Sequence, residues 1–488
     1  IDTGGTFTDF VLFDGQQLRV HKVLSTPRSP EQAILQGIEE MGEQLEGLHI
    51  IHGSTVATNA VLEGKLAKTV YITNKGLKDT LTIGRQARRE LYNLQPEPIT
   101  PPVPVDYSLE VDSRMDAHGN ELHALSVNSR DNLLRQLNKL QPHAVAINLL
   151  FSFIDDTHER EIESLLPDDL FITRSSALVP VYREYERGMT TWLNAATGPL
   201  MQRYLCNLAE RVQPASLSIM QSSGDTIDVL QAANQPASLL LSGPAGGLVG
   251  AKTMASLGGS TRLMTFDMGG TSTDVALIDG EIQLSDAGRI AHYPVSMPMV
   301  DMHTIGAGGG SLAWVDDGGV LQVGPQSAGA SPGPACYGYG GHQPTVTDAN
   351  VVLGQLPSQV SLGGTMKLDR TAAVAATAEV AKRMACSVEE AATGVLAMAN
   401  EHMAQALRVI SIEKGYDPRE FTLVSFGGAG GMHACDLAEA LGMRSVLVPV
   451  HAGVLSALGM LVSPRGRRFM RTRICPFDQV DLAEVEQL

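Results

Sequence analysis

Short apolar runs with β-type patterning alternate with longer stretches of helical period along most of the chain. FTDFVLFD and LRVHKVLS predict two strands between Phe7 and Ser25. Ser29-Pro30-Glu31 then opens a helix running to about Leu45, with Ser29 as N-cap and proline at the first helical position. HIIHGSTVATNAVLEG predicts a short strand, a polar turn at His52-Gly53-Ser54-Thr55 and a helix, and KTVYITN predicts a further strand. RDNLLRQLNKLQPHAVAINLLFS reads as helix, turn and buried strand, and the residues from His158 to Ser176 repeat helix and strand. This alternation implies a largely parallel sheet with helical cover. A long helical segment from near Tyr185 toward Val212, interrupted at Gly198-Pro199, is expected to carry the chain into a second half, its small residues Ala195, Ala196 and Gly198 allowing close packing.

In that second half, SLSIMQSSGD precedes SLLLSGPAGGLVGAK, whose Ser242-Gly243-Pro244-Ala245-Gly246-Gly247 joins a strand to a helix. Backbone amides at such a junction form a candidate anion site. From Gly306 to Gly341 the glycine content is too high for a packed helix or regular strand. The stretch nevertheless holds Trp314, Cys336, Tyr337 and Tyr339 and leads into TVTDANVVLG, so a structured loop system is expected. One long helix is predicted from Ser387 to Lys414, with a capping box between Ser387 and Glu390 and Gly415 as its stop. TLVSFGGAGGMHA reads as strand, glycine turn and helix, SVLVPV as a buried strand, and AGVLSALGMLVS as a small-residue helix.

Within this pattern one phrase occurs twice: DTGGTFTD at Asp2 to Asp9 and DMGGTSTD at Asp267 to Asp274, with six of eight positions identical and the copies 265 residues apart. That distance is too long for a solenoid period and suggests two related half-molecules. In each copy an Asp ends a strand, Gly-Gly-Thr turns, and a β-prone stretch returns. Glycines let backbone N–H groups approach phosphate oxygens, and Thr6, Thr8, Thr271 and Thr273 can add hydroxyl donors. Asp2 and Asp267 are placed to hold Mg2+ through water, because that ion sheds its hydration shell reluctantly. An ordinary Gly-Gly β-turn is the plainer alternative for either copy alone.

Other polar clusters carry two readings each. His52, Thr55 and Asn59 sit at a strand-to-helix junction, where α/β folds place ligand groups, or they serve capping alone. Arg85, Arg88 and Arg89 can clamp a carboxylate or phosphate, or lie solvated on a helix face. Cys336 has no neighbouring base in sequence to activate it as a nucleophile. Pro96 to Val105 is proline-dense and reads as a linker or lid edge.

At 488 residues the chain needs two or three domains. The net charge of −17 disfavours nucleic acid and anionic membranes as partners, so phosphate binding has to come from backbone amides and metal. Five scattered cysteines without a CxxC pair fit a reduced cytoplasmic protein, and no stretch reads as a signal peptide or membrane span. Asp2 should end a strand that only Ile1 precedes, so further residues upstream are expected. The tail after about Arg468 reads as the start of something further.

With the doubled phrase and the late GGAGG turn, the chain resembles the actin-like ATPase superfamily, in which two related halves close on ATP. DTGGTFTDF, HGSTVATNAVLE, IGRQARRELYNL, SGPAGG, FDMGGTSTDV, DMHTIGAGGGS, GPQSAGASPGPACYG, TVTDAN and FGGAGGMHA together resemble the hydantoinase A / 5-oxoprolinase / acetone carboxylase family over nearly the whole chain. One departure is Gly64 after Leu62-Glu63, where that family usually has Arg.

The resemblance implies an α/β fold of duplicated actin-like, ribonuclease H-like domains around a nucleotide cleft. The halves are expected at 1–184 and 185–468, with 469–488 beginning a further domain. It implies ATP-dependent opening of a cyclic amide such as hydantoin or 5-oxoproline, with Mg2+, a possible K+, and a larger hydantoinase B-type partner subunit in a homo- or hetero-oligomer. Gly4, Gly5, Thr6, Thr8, Gly269, Gly270, Thr271 and Ser272 are expected at the phosphates, and Gly427, Gly428, Ala429 and Gly430 at adenosine. Asp9 and Asp274 orient loops or metal-bound water, or are structural. His52, Thr55, Asn59, Arg85, Arg88 and Asp301 are expected at substrate. His303, next to a glycine turn, is a candidate general base or divalent ligand, or a structural histidine. An acetone-carboxylase-type ketone-activating subunit and a non-catalytic nucleotide switch are the alternative readings.

Overall fold

The computed structural model describes residues 1–26, 29–87, 92–95, 100–359 and 366–476. Two mixed sheets repeat one plan. In the first, the spatial order is Leu18–Leu24, Phe7–Phe13, Asp2–Thr3, His49–Ser54, Ser216–Met220 and Thr226–Asp228. In the second it is Glu281–Ile282, Thr273–Asp279, Arg262–Met268, Thr422–Phe426 and Val446–Leu447, with Met302–Ile305 also flanking Thr273–Asp279. Each sheet is built on an antiparallel hairpin at the doubled phrase, followed on the inner side by two parallel strands. The outer strand of each hairpin carries a further antiparallel neighbour.

The first sheet therefore runs past residue 184, taking two strands from residues 216–228. Backbone bonds from Thr226 N to Pro464 O and from Gly466 N to Thr226 O tie the segment after the last helix to the same edge.

Residues 69–174 add a parallel sheet in the order Phe171–Arg174, Ala144–Ile147, Thr69–Asn74 and Ser108–Val111. It has its own apolar core, with Leu133, Leu137 and Ile162 covering Val70, Ile72, Val145 and Ile147. Helix Glu184–Arg211 packs against this sheet and is continuous through Pro199 rather than broken there. Proline removes the N–H that would bond Ala195 O and crowds the preceding turn; beside it, Ala196 O accepts from Ala67 N at 2.9 Å. Gly198 is required by packing, since a Cβ there would lie 2.2 Å from the Phe171 ring.

Helices Ser242–Leu257 and Leu455–Val462 cross against each other and touch strands of both large sheets. Their backbones meet: a Cβ on Gly459 would stand 1.8 Å from the Gly246 carbonyl oxygen. On one side Leu455, Ala457 and Leu458 pack with Val11 and Phe426, and on the other Met460 packs with Met220 and Ala276.

Three local expectations change. The first helix spans Pro30–Glu40, short of Leu45; Ser29 holds the N-cap position before Pro30 as expected, but its side chain makes no cap bond, and the Thr26 hydroxyl accepts from Ala33 N. The glycine-rich region contains a hairpin, Ser311–Val315 with Leu321–Ser327, whose register shifts between Ser311 and Ala313 and whose turn takes Gly318 and Gly319. The capping box at Ser387 and Glu390 is formed, but the α-helix ends at Ile410 and a single 3-10 turn carries it to Lys414.

Candidate functional site

The two hairpins match residue for residue. Asp2 pairs with Asp9 and Thr3 with Thr8; Asp267 pairs with Asp274 and Met268 with Thr273. The turn is closed by Gly4 N to Phe7 O in one and Gly269 N to Ser272 O in the other, both at 3.0 Å. Gly5, Thr6, Gly270 and Thr271 are exposed at the tips, while Thr8 and Thr273 are fully buried. These two threonines therefore brace the turns from behind instead of facing ligand. Thr8 Oγ1 lies 3.0 Å from Ser25 Oγ, which donates to Gly4 O, and Thr273 Oγ1 donates to Ala307 O at 2.5 Å.

Strand alternation sorts the remaining candidates. The four carboxylates point toward the crossed helices between the sheets. A Cβ on Gly243, at the start of Ser242–Leu257, would stand 3.5 Å from Asp2 Oδ1, and the next residue, Pro244, lines a narrow cavity with Asp267, Asp274 and Met302. Burial pushes Asp2 up to about 7, with Asp9 adding to the effect. Burial pushes Asp267 up to about 8, with Asp274 and then Asp2 adding to it. Asp2 thus acts on Asp267, and Gly243 beside Asp2 is followed by Pro244 beside Asp267, so the two jaws flank one helix start across 265 residues of sequence.

The chemistry of this donor set suits Mg2+. Asp2 Oδ1 is buried without a hydrogen-bond partner. Gly427, at φ +80°, leaves room beside Asp267 Oδ1 that a Cβ would fill from 2.3 Å. Among the described residues no three His, Cys, Asp or Glu side chains gather as a complete ligand set.

Glycine loops close over the second hairpin. Gly309 N and Gly310 N donate to Gly269 O and Gly270 O at 3.1 and 2.7 Å. Thr347, in the helix that follows the glycine-rich region, donates its hydroxyl to Gly309 O at 2.8 Å. A Cβ on Gly308 would lie 2.7 Å from Thr271 N. Ala429 N bonds Met268 O and Gly427 N bonds Ala452 O, which pins the turn of Gly427, Gly428, Ala429 and Gly430 beside the same hairpin.

Several expected substrate residues lie elsewhere. His52 stands on the opposite face from Gly53 and Asp2, fully buried, with Nε2 2.8 Å from Tyr204 Oη; burial lowers it to about 3, so it is a neutral core histidine. His303 pairs with Val275, not with Asp274, and so faces away from the carboxylates; the residue that faces Asp274 is Thr304, donating at 2.6 Å. Asp301 ion-pairs with Lys414 at 2.5 Å. Arg85 does form a bidentate clamp, but on Glu186 of the same chain at 2.7 and 2.6 Å. Arg88 lies outside the described residues. Thr55 and Asn59 are nearer the site: Asn59 donates to Thr55 Oγ1, and Thr55 donates to Thr3 O of the first hairpin.

Sequence reasoning missed Lys22. It is the strand partner of Asp9, and its ammonium lies 2.5 Å from Asp9 Oδ1. The available signal was a charge at the third position of the otherwise apolar alternating set Leu18, Val20, Lys22, Leu24.

The repeated sheet and its paired hairpins define an actin-like ATPase-type fold. Within that class, residues 187–465 match the hydantoinase/oxoprolinase family and residues 1–169 match its N-terminal region. The chain belongs to the hydantoinase/oxoprolinase family. It is 36% identical over 485 residues to caprolactamase subunit alpha of Pseudomonas jessenii, covering 95% of this chain and 70% of that one. The crystal structure of the ATP-dependent caprolactamase from that organism superposes with a TM-score of 0.83 at 35% identity, over 94% of this chain and 70% of that one. A nucleotide-free acetone carboxylase structure superposes at 0.80 and 29% identity, over 95% and 69%. The 5-oxoprolinase 1 of Arabidopsis thaliana is 35% identical over 94% of this chain, which spans 41% of that protein.

Proposed function

We propose that this chain is the ATP-binding part of a hydrolase that opens a cyclic amide by phosphorylating its carbonyl oxygen. The observation that carries the reading is the pair of hairpins with one register, whose Asp2 and Asp267 flank the start of helix Ser242–Leu257. Similarity along nearly the whole chain to an ATP-dependent caprolactamase and to 5-oxoprolinases supports the substrate class.

Amide hydrolysis is slow because resonance protects the carbonyl and nitrogen leaves poorly. Transfer of the γ-phosphoryl group to the carbonyl oxygen releases ADP and removes the first obstacle; water then adds to the activated carbon, the ring nitrogen takes a proton and leaves, and a second water hydrolyses the acyl phosphate to carboxylate and phosphate. The protein's task is mainly positioning and charge neutralisation. Backbone amides of Gly4, Gly5, Gly269 and Gly270, with the Thr6 and Thr271 hydroxyls, hold phosphate oxygens. Asp2 and Asp267 would hold Mg2+, which would supply neutralisation of phosphate charge, and Asp9 and Asp274 would orient that pair. The Gly427 to Gly430 turn carries adenosine. Thr55 and Asn59 reach the first hairpin from the substrate side. A larger partner subunit completes the enzyme in the cytoplasm, where the five free thiols stay reduced.

The acetone carboxylase superposition supports a second reading, ATP-dependent activation of a ketone. ATP loss measured with caprolactam, 5-oxoproline and hydantoin, against acetone with bicarbonate, with and without the partner subunit, separates the two. Acceleration by a cyclic amide is expected. Acceleration by acetone alone contradicts it, and binding of ATP without any acceleration leaves a nucleotide switch.

A further inference from the structure

Pairing lays the two jaws out as matching rows. Gly53, Asp2, Asp9 and Lys22 lie side by side across four strands of the first sheet, and Phe426, Asp267, Asp274 and Thr304 lie side by side across the second. The Lys22 ammonium lies 2.5 Å from Asp9 Oδ1, whereas at the same station Asp274 accepts from the Thr304 hydroxyl at 2.6 Å. A lysine thus stands in the first jaw at the station where the second jaw has a neutral residue.

The direction of that lysine matters. Its ammonium lies 5.2 Å from the centroid of the Phe7 ring, and Phe7 is two residues, about 7 Å along the strand, nearer the Gly4-Gly5-Thr6 turn than Asp9. It also lies 3.4 Å from Gly453 O in the turn that precedes helix Leu455–Val462. The Lys22 side chain is 34% exposed, while its Asp9 partner is 18% exposed. A purely structural counter-ion would satisfy Asp9 from a closed position. This one leans along the jaw toward the exposed tip and keeps access to solvent.

We propose that Lys22 is a phosphate-contacting residue, whose ammonium leaves or shares Asp9 to engage a phosphate oxygen of the nucleotide held at the first hairpin. The inference rests on the nucleotide-cleft reading above. It also accounts for the unequal rows: one jaw brings its own cation to the phosphates, and the other presents uncompensated carboxylates to an external one. Lysine suits the first task as a compact point charge on a flexible stem.

The test compares binding of Mg·ATP, Mg·ADP and adenosine by titration calorimetry to the wild type, Asp9→Asn and the double variant Asp9→Asn with Lys22→Met. In Asp9→Asn the lysine has no carboxylate left to neutralise, so a structural role predicts equal affinities for the single and double variants. The proposal expects the double variant to bind Mg·ATP roughly tenfold or more weakly than Asp9→Asn, with adenosine unchanged. Equal Mg·ATP affinity overturns it. A measurement on the wild type alone stands beside this: Mg·ATP, but not adenosine, should protect Lys22 from amine acylation, and unprotected labelling overturns the proposal. A wild type that binds no Mg·ATP overturns the cleft reading and this inference together; binding without the Lys22 effect overturns only the latter.

Discussion

The two hairpins share register, turn bond and order of exposure, yet their carboxylates meet different fates. Asp2 and Asp9 sit beside Lys22, whereas Asp267 and Asp274 have a threonine hydroxyl and each other. Two like charges in a low-dielectric site disfavour ionisation unless a cation arrives. The first jaw is therefore partly self-compensated, and the second depends on a proton or a metal. Duplication supplied the geometry of both, and a change at one station separated their chemistry.

The largest effect expected from breaking this arrangement is on turnover. Asp267→Asn keeps the shape of the site but removes a metal-facing charge, and should lower Mg·ATP-dependent turnover by about a thousandfold. Stability should move the other way at alkaline pH. A carboxyl raised to about 8 in the folded state gives stability that is complete below its unfolded pKa and is lost as pH rises through the folded value. Ligand-free wild type should therefore lose melting temperature between pH 5 and pH 8, and Asp267→Asn should flatten that loss. Thermal melts in chelator at the two pH values check the sign.

Backbone substitutions test the same contrast one step back. A Cβ at Gly427 meets Asp267 Oδ1 at 2.3 Å from a positive φ, so Gly427→Ala should both cost about 1–3 kcal/mol of stability and weaken Mg·ATP binding roughly tenfold. At Gly53 the nearest obstacle is the flexible end of Met460, 2.0 Å away, and Asp2 Oδ1 is at 3.7 Å. Gly53→Ala should then cost similar stability with nucleotide affinity little changed. Paired denaturation and binding curves would show whether the two positions separate in this way.

Making the jaws alike is a smaller perturbation. Thr304→Lys places an ammonium opposite Asp274, as Lys22 stands opposite Asp9. The half-saturating Mg2+ concentration should rise several-fold through competition for the carboxylates, and the loss of stability toward pH 8 should shrink. Smallest are the bracing hydroxyls. Thr273→Val leaves Ala307 O without its donor, and Thr8→Val removes the bond to Ser25, each expected to cost about 1 kcal/mol. Similar values from urea denaturation would confirm that neither hydroxyl faces ligand.

Much of this was legible in the sequence, because the repeat is local. Six identities in eight residues announced two equivalent turns, and each hairpin closes on itself within a few residues, so register followed from the phrase. The glycine-rich region was legible as structured because Trp314, Cys336, Tyr337 and Tyr339 lie within it and TVTDANVVLG follows.

What could not be read was long-range pairing. His303 adjoins Thr304, and only the alignment of Met302–Ile305 against Thr273–Asp279 decides which of the two faces Asp274. His52 lies in a strand buried on both faces, where alternation of apolar and polar residues carries no direction. Arg85 has the chemistry of an anion clamp, and nothing near it in sequence reveals that Glu186, 101 residues later, already fills it. Two strands of the first sheet come from residues 216–228, past residue 184, because Ser216–Met220 lies parallel to His49–Ser54 and parallel neighbours require long crossovers.

The central claim is that two distant hairpins make one nucleotide site, and stoichiometry tests it most directly. Calorimetric titration of the wild type with Mg·ATP should give one nucleotide per chain, and either Asp2→Asn or Asp267→Asn should weaken that single event. Two nucleotides per chain, or full-affinity binding that survives one of the substitutions, would contradict the shared cleft.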